Sequence, residues 1–302
     1  MKILLLGKNG QVGWELQRAL QPLGQVIALD RTMNENGLCG DLADFDQIQN
    51  VFEKVQPNIV VNAAAYTAVD KAESDQETAD LINHLAVKKL AELCVEKKVL
   101  LIHYSTDYVF NGEGETAWSE NDQSEPVNFY GQTKRLGEIA IEKSGCAYIN
   151  FRTSWVYGTY GHNFIKTMLK LASSREELSI INDQVGAPTG AALIADITSQ
   201  ALRFYSLSSL EQQKELCGHY HLTALGECSW YEYAQYIFDL AKQKGQNLTI
   251  QNVNPIETSA YPTPAKRPLN SRLNTMKLQT NFKIHLSEWQ LGVAQVLEEI
   301  IK

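Results

Sequence analysis

The chain has 302 residues, of which 44% are hydrophobic and 21% charged, as in an ordinary globular protein of one large domain or two modest ones. A formal net charge of −8 disfavours nucleic acid as a partner. Because the five cysteines are scattered without a C-x-x-C pair and no apolar run reaches membrane-spanning length, we expect a cytoplasmic protein without disulfides, a zinc knuckle or a membrane anchor.

Strands alternate with helices through the first half of the chain. Short apolar runs predict strands at 3–6, 26–29, 59–62, 99–103 and 147–151, and 3.6-residue periodicity predicts helices at 12–20, 45–55, 77–97 and 130–143. Strands separated by helices predict an α/β fold with a Rossmann-type, doubly wound parallel sheet.

The second half changes character and carries a proline-rich segment at 261–268 that cannot form a regular helix or a central strand. Amphipathic helices are predicted at 164–171, 230–242 and 289–301. We therefore expect a dinucleotide-binding domain at 1–152, to which part of about 172–205 returns, and a smaller mixed α/β substrate-binding lobe over most of 153–302. Since no flexible linker separates them, the site is expected in the cleft between the two.

A glycine turn follows the first predicted strand and precedes the first helix. Its three glycines, Gly7, Gly10 and Gly13, suit close approach of backbone N–H groups to a diphosphate at the helix N-terminus. Asp30 ends the second strand, where an acid bonds the adenosine ribose and favours NAD. The adjacent Arg31 can hold the 2′-phosphate of NADP, so the choice between NADH and NADPH stays open.

Tyr130 and Lys134 lie one turn apart on one helix face. A phenol has a pKa near 10, and a neighbouring ammonium favours its ionised form, which eases proton exchange near neutral pH. Together with the glycine turn and the upstream run from Tyr104 to Asp107, this pair is typical of a reductase. His103, near the end of the fourth strand, is expected to be a buried structural residue.

These motifs and the flanking segments resemble the extended short-chain dehydrogenase/reductase family, and within it the reductases of dTDP-linked keto sugars. The resemblance runs nearly end to end. It rests on GKNGQVGWELQRAL at 7–20, NAAAYTAVDKAES at 62–74, HYSTDYVF at 103–110, YGQTK at 130–134, FRTSWVY at 151–157, INDQVGAPTG at 181–190 and AYPTPAKRPLNSRLN at 260–274.

The resemblance implies reduction of the C4 keto group of dTDP-4-dehydro-6-deoxy-L-mannose to dTDP-L-rhamnose by NADPH or NADH. Tyr130 is then the proton donor, Lys134 binds the nicotinamide ribose and tunes the phenol, and Thr106 orients the carbonyl. The implied substrate-binding residues are Val69, Thr106, Asp107, Trp155 and Arg267. The implied cofactor-binding residues are Gly7, Gly10, Gln11, Val12, Gly13, Asp30, Arg31, Asp41, Leu42, Ala63, Ala64, Ala65, Tyr66, Thr67, Tyr104, Tyr130 and Lys134.

The resemblance leaves the oligomeric state open between monomer and homodimer. Some relatives are dimers bridged by Mg²⁺ through acidic side chains, and Glu15 matches one such position. Ala192 stands where a second acid is expected, so the set is incomplete and a metal bridge is not favoured.

Two alternative functions remain. A nucleotide-sugar dehydratase commonly places an acid pair after the threonine, whereas Asp107 here stands alone; an epimerase would retain its cofactor tightly. A non-catalytic, nucleotide-binding regulatory subunit typically loses the tyrosine, the lysine or the glycines, and all of these are intact here.

Overall fold

The computed structural model describes residues 1–301. Its strands are β1 (Lys2–Leu6), β2 (Gln25–Leu29), β3 (Ile59–Asn62), β4 (Leu100–Thr106), β5 (Tyr148–Thr153), β6 (Val156–Tyr157), β7 (Glu177–Ile181), β8 (Val185–Gly186), β9 (Thr189–Gly190), β10 (Gly218–His221), β11 (Cys228–Ser229) and β12 (Asn252–Ile256). Its α-helices are α1 (Gln11–Ala19), α2 (Phe45–Val55), α3 (Val69–Ala72), α4 (Gln76–Asp80), α5 (Ala86–Lys97), α6 (Phe129–Ser144), α7 (Phe164–Ala172), α8 (Ala191–Leu207), α9 (Leu210–Glu215), α10 (Trp230–Gln243), α11 (Met276–Phe282) and α12 (Trp289–Ile300).

A six-stranded sheet forms the centre of the molecule, with strand order β10-β5-β4-β3-β1-β2. Every neighbouring pair in it is parallel. The chain winds outward in one direction from β1 to β2 and in the other from β3 to β5, so the strand order reverses between β1 and β3. The predicted doubly wound Rossmann-type sheet is confirmed, and its switch point lies where such folds bind ligands.

Both faces of the sheet are covered, which explains why the strands are apolar at successive positions. Along β1, Ile3 and Leu5 belong to a hydrophobic cluster shared with α1 and α8. Leu4 and Leu6 face a second cluster shared with α2 and α5. All four side chains are fully buried.

The second half has a hydrophobic cluster of its own between α7, α10 and α12. Three two-stranded sheets accompany it, of which β12–β7 and β6–β9 are parallel and β11–β8 is antiparallel. Two elements of this half return to the first: α8 packs on α1, and β10 extends the main sheet beside β5. The sequence did not predict the return of β10. The domain boundaries at 152 and 153 stay a prediction.

The long helix predicted at 77–97 is interrupted by a π-helical turn at 81–85. There the Asn83 side chain donates to the Tyr66 carbonyl and to the Thr133 hydroxyl. The backbone carbonyl oxygen of Asn83 lies so close to Gly137 that a Cβ added to this glycine would stand 2.3 Å from it. These tertiary contacts compensate for the wider turn, and the sequence period does not report them. Within residues 1–301, no helix is both long and apolar enough to cross a bilayer.

Candidate active site

The glycine turn lies between β1 and α1, at the switch point of the sheet. Gly7 has a φ of +88°, and a Cβ added to it would lie 2.6 Å from the Ala64 nitrogen. A Cβ on Gly13 would lie 2.0 Å from the Gly7 carbonyl oxygen, whereas one on Gly10 would meet nothing nearer than 3.4 Å. Gly10 is the N-cap residue of α1 and no side chain caps the helix, so the first N–H groups of the helix can receive an anion. The turn therefore fits a dinucleotide diphosphate.

Asp30 follows β2 beside this turn. Its carboxylate accepts hydrogen bonds from the Thr32 backbone N–H and the Asn9 side chain, both at 2.7 Å, and lies 3.4 Å from the Lys8 ammonium. The Thr32 N–H is the largest cause that holds the pKa of Asp30 below its usual value, with burial opposing it and Lys8 assisting. Arg31 is exposed next to this charge. An ionised acid beside a free guanidinium fits the open choice of cofactor.

Some of the remaining predicted cofactor residues lie near the glycine turn, and others lie in the hydrophobic interior. Ala63, Ala64 and Ala65 follow β3 and are partly exposed at the strand end, as expected of residues beneath a ligand. Leu42 is instead buried in the second hydrophobic cluster, so its side chain is unavailable to a cofactor. Asp41 is partly exposed and caps the turn after it by accepting from the Ala43 N–H at 3.1 Å.

Five further predicted cofactor residues are placed as follows. The Tyr104 hydroxyl bonds Thr198 on α8 at 2.8 Å, on the far side of β4 from the cleft. The Gln11 side chain donates to the Val156 carbonyl and the Tyr66 hydroxyl donates to Asp75, while Val12 packs partly buried against the first cluster. Thr67 is exposed.

Tyr130 and Lys134 occupy one face of α6 against the end of β4. Tyr130 is 9% exposed and packs with Tyr66 and Val69, which both follow β3. Burial raises the pKa of Tyr130, and the Thr106 hydroxyl opposes this shift. Lys134 is 1% exposed and donates to the Tyr104 carbonyl at 2.6 Å. Burial lowers the pKa of Lys134 to about 8, although Glu138 opposes the shift.

Thr106 ends β4 next to Tyr130, Asp107 follows it, and both are buried. The Thr106 hydroxyl donates to Asp107 Oδ1 at 3.0 Å and accepts from the Tyr108 N–H at 3.2 Å. Ser271, from the second half of the chain, donates to Asp107 Oδ2. Burial raises the pKa of Asp107 to about 6, although these two hydroxyls lower it. Because its one hydrogen is given to Asp107, Thr106 must rotate before it can donate to a substrate oxygen.

Arg267, in the proline-rich segment, closes over the same side of the cleft. Its guanidinium lies 2.6 Å from the Asp70 carboxylate and 6.0 Å from the centre of the Tyr108 ring. The segment is also tied to the start of α6, where Asn128 caps the helix with its side-chain oxygen and donates to the Lys266 carbonyl at 2.8 Å. The predicted fixed loop is therefore held against the helix that carries Tyr130.

Trp155 stands between the two halves in an unusual conformation. Its φ of +49° is rarely adopted by a bulky residue, and such strain concentrates at functional sites. Its ring stacks on Trp230 with centroids 3.6 Å apart, and Gly186 lies so close that an added Cβ would stand 3.0 Å from the ring. Trp230 itself packs partly buried against the hydrophobic cluster of the second half.

Three residues of this site were not singled out in the sequence. They are Ser271, Asp70 and Asn128, each of which joins segments more than 130 residues apart. Ser271 and Asp70 lie inside the segments that carry the resemblance, which was the one available signal. Nothing in their local pattern predicts their partners.

A cavity of about 730 Å³ lies away from the active site, between α1, α8 and α12. Glu15 and Ala192 both line it. Glu15 is 3.6 Å from Arg18 on its own helix. Within residues 1–301, the one cluster of three candidate metal ligands is Glu138, Glu142 and His219, which excludes Glu15. The residues around Glu15 therefore give no support to a Mg²⁺ bridge.

The position of α6 defines the class of protein. Tyr130 and Lys134 reach the carboxyl ends of β3 and β4, next to the glycine turn that suits a dinucleotide. A Tyr-x-x-x-Lys helix beside the switch point of a doubly wound sheet is the arrangement of a short-chain dehydrogenase/reductase of the extended type.

Comparison with known proteins narrows this class. Residues 1–301 match the family model described as the RmlD substrate binding domain. The chain is 50% identical over 300 residues to the dTDP-4-dehydrorhamnose reductases of Shigella flexneri and Escherichia coli K12, covering 99% of this chain and 98% of each relative. A crystal structure of the Bacillus anthracis dTDP-4-dehydrorhamnose reductase in complex with NADP matches with a TM-score of 0.87 and 32% identity, over 99% of both chains. The chain belongs to the dTDP-4-dehydrorhamnose reductase family.

Proposed function

We propose that Tyr130 is the proton donor of this enzyme, which reduces the 4-keto group of dTDP-4-dehydrorhamnose to give dTDP-L-rhamnose. The observation that carries the proposal is the position of the Tyr130 phenol, beside Thr106 and one helical turn from Lys134, at the mouth of the cleft between the halves. A general acid must lie within reach of the oxygen that it protonates.

The residues around the glycine turn would hold the nicotinamide dinucleotide. Gly7, Gly10 and Gly13 leave room for the diphosphate at the start of α1, and Asp30 can accept hydrogen bonds from a ribose. Lys134 would bind the second ribose. When bound, the reduced nicotinamide supplies the hydride that the carbonyl carbon receives.

The proton is moved by side chains of this chain. Tyr130 gives its hydroxyl proton to the sugar oxygen and becomes a phenolate. Burial opposes that ionisation, so the positive charge of Lys134 is needed to stabilise it. Thr106 and Asp107 hold the sugar: Asp107 can accept from a sugar hydroxyl, and Thr106 can rotate from Asp107 toward the carbonyl.

The substrate diphosphate is assigned to Arg267. Its planar fork suits phosphate oxygens, and the Asp70 contact orients it above Tyr108. Trp155 and Val69 would form the walls of the sugar pocket. Both nicotinamide cofactors are expected to be used, since Asp30 and Arg31 act in opposite directions on a 2′-phosphate; the Bacillus anthracis relative binds NADP. A cytoplasmic location and a monomeric or dimeric state stay predictions.

The experiment is an assay of the purified enzyme with dTDP-4-dehydro-6-deoxy-L-mannose, following loss of absorbance of NADPH and of NADH separately. Consumption of both cofactors with formation of dTDP-L-rhamnose is expected. No consumption of either cofactor would overturn the reductase function. A cofactor that stays with the protein through purification, with no net consumption, would instead favour an epimerase.

A further inference from the structure

A buried line of polar side chains runs behind the catalytic pair, at right angles to the strands. It starts at Asn62 at the end of β3, passes through His103 on β4 and ends at Lys134 on α6. Asn62 Nδ2 lies 3.2 Å from His103 Nδ1, and His103 Nε2 lies 3.3 Å from Lys134 Nζ. Each of the three residues is 1% exposed.

The orientation of Asn62 fixes the proton on His103. Asn62 Oδ1 accepts from the Ala64 backbone N–H at 3.2 Å, so its other end, the amide nitrogen, faces the histidine. An amide NH₂ can only donate, so His103 Nδ1 must accept. Burial holds the pKa of His103 well below its usual value, with the positive charge of Lys134 assisting, so the ring is neutral and carries its one proton on Nε2.

That proton points at Lys134. An ammonium has three donors and no acceptor, so it cannot bond an Nε2–H group. A neutral amine can accept from Nε2–H through its lone pair and still donate to the Tyr104 carbonyl. The contact therefore favours the amine over the ammonium.

We infer that Asn62 and His103 act as positioning residues that stabilise the neutral amine of Lys134, and so help this lysine to return a proton to the Tyr130 phenolate after each reduction. In that step an N–H bond of the Lys134 ammonium breaks and the O–H bond of Tyr130 forms, which leaves an amine and a phenol; the amine takes up a proton from water before the next reduction. His103 Nε2–H bonds the amine that the step produces. The inference rests on the proposed role of Tyr130 and Lys134.

Other charged and titratable groups around His103 and Lys134 shift their pKa values in both directions. Glu138, one turn along α6, raises the pKa of both His103 and Lys134, and Arg152 on β5 pairs with it through two bonds of 2.8 Å. His219 on β10 lowers the pKa of His103. Because the pKa of Lys134 is about 8, the lysine loses its proton within a pH range in which the kinetics can be measured. We expect kcat to fall as the pH rises through this range.

The first experiment is the isosteric change Asn62→Asp. A carboxylate accepts from Nδ1–H, which moves the His103 proton to Nδ1 and leaves Nε2 to accept from the Lys134 ammonium. The alkaline limb of kcat should then move to higher pH by about one unit or more, which is a tenfold change in the proton affinity of the lysine. A folded variant whose kcat falls over the same alkaline pH range as that of the unmodified enzyme would overturn the inference.

A double-mutant cycle separates the tautomer from the added negative charge. In a His103→Gln background the same Asn62→Asp change should move the alkaline limb by less than half as much. An undiminished shift would mean that the charge alone acts on Lys134, and the inference would be wrong.

The second experiment needs no turnover, so it remains decisive if the reductase assignment fails or the variants do not fold. Two-bond ¹⁵N–¹H correlation spectra of the unmodified enzyme distinguish the two neutral tautomers of its six histidines. His103, assigned by loss of its signals in His103→Gln or by its contacts to Ile102 and Tyr104, should be the Nε2–H tautomer. An Nδ1–H tautomer would refute the inference.

Discussion

The two sides of the cleft are built in different ways. The cofactor side depends on seven consecutive residues, Gly7 to Gly13, in which absent side chains let the backbone approach Ala64. The substrate side depends on hydrogen bonds between distant segments, which span 138, 164 and 197 residues at Asn128–Lys266, Asp107–Ser271 and Asp70–Arg267. The first side is local in sequence, whereas the second exists only when the two halves are folded together.

The largest expected effect lies where the two sides meet. Tyr130→Phe should lower kcat by about 10²–10⁴, because only the general acid is lost. Affinity for cofactor and for nucleotide sugar, measured by fluorescence titration, should change little if both sides remain assembled. A variant that keeps more than about a tenth of the original kcat would show that another group donates the proton.

The helix that carries Tyr130 is anchored from below by a buried ion pair. Glu138→Gln leaves the Arg152 guanidinium uncompensated and should lower the free energy of unfolding by about 3–5 kcal/mol in urea denaturation. Glu142→Gln is the matched control on the same helix, since Glu142 is partly exposed, and it should cost less than about 1 kcal/mol. Equal losses of unfolding free energy in the two variants would mean that the buried ion pair stabilises the protein no more than the partly exposed one.

The same pair predicts a pH dependence. Burial acts to raise the pKa of Glu138, but the charge of Arg152 outweighs it and holds that pKa well below its usual value. A depressed carboxyl pKa contributes stability above the unfolded-state value of about 4.3, and this contribution is lost as pH falls toward the folded-state pKa. The difference in the free energy of unfolding between the unmodified enzyme and Glu138→Gln should therefore disappear as the pH falls from about 5 to the acid unfolding limit.

On the cofactor side, substitutions at two glycines distinguish an effect on stability from an effect on cofactor binding. Gly13→Ala places a Cβ 2.0 Å from the Gly7 oxygen and should destabilise the protein by about 1–3 kcal/mol or more, seen as a lower Tm. Gly10→Ala has 3.4 Å of clearance, so it should cost about 1 kcal/mol or less yet raise the KM for NADPH. If Gly10→Ala leaves that KM unchanged, the diphosphate does not approach the turn closely at Gly10.

On the substrate side, Arg267→Ala should raise the KM for the dTDP sugar by about tenfold or more, which corresponds to a charge-assisted hydrogen bond of 1.5–3 kcal/mol. Stability should fall by only about 0.2–1 kcal/mol, because the Asp70 partner is 42% exposed. Arg272→Ala, which removes a comparable pair between Arg272 and Glu227 just beyond the proline-rich segment, is the control and should leave KM unchanged. Similar KM values for both variants would contradict the role of Arg267.

The smallest effect is expected at Arg31. Arg31→Ala should raise the KM for NADPH by about tenfold and leave that for NADH nearly unchanged, because only the 2′-phosphate needs a cation. Steady-state kinetics with both cofactors measures this. Equal losses for both would mean that Arg31 does not contact the phosphate.

Sequence predicted the elements better than the contacts between them. The strands of the main sheet up to β5, the glycine turn and the pairing of Tyr130 with Lys134 follow from short-range periodicity and spacing, and the structure agrees with them. Leu42 and Tyr104 illustrate the limit: the family resemblance implied a cofactor role for both, but it did not show that the Leu42 side chain is buried in a core cluster or that the Tyr104 hydroxyl bonds Thr198 on α8. Their contacts with a cofactor stay predictions. Strand ends alternate faces, and only packing shows which face a given residue occupies.

What the sequence by itself determined is the parallel sheet, the position of its dinucleotide turn and the reductase pair on one helix. These depend on backbone geometry and on residues within a few positions of one another. The tertiary structure alone decided that β10 joins the main sheet, that Ser271 bonds Asp107, and that Asn62 and His103 line up behind Lys134. Such contacts join segments far apart in the chain, and their hydrogen-bond partners are selected by burial only when those segments pack together, since an unpaired polar group is costly in the interior.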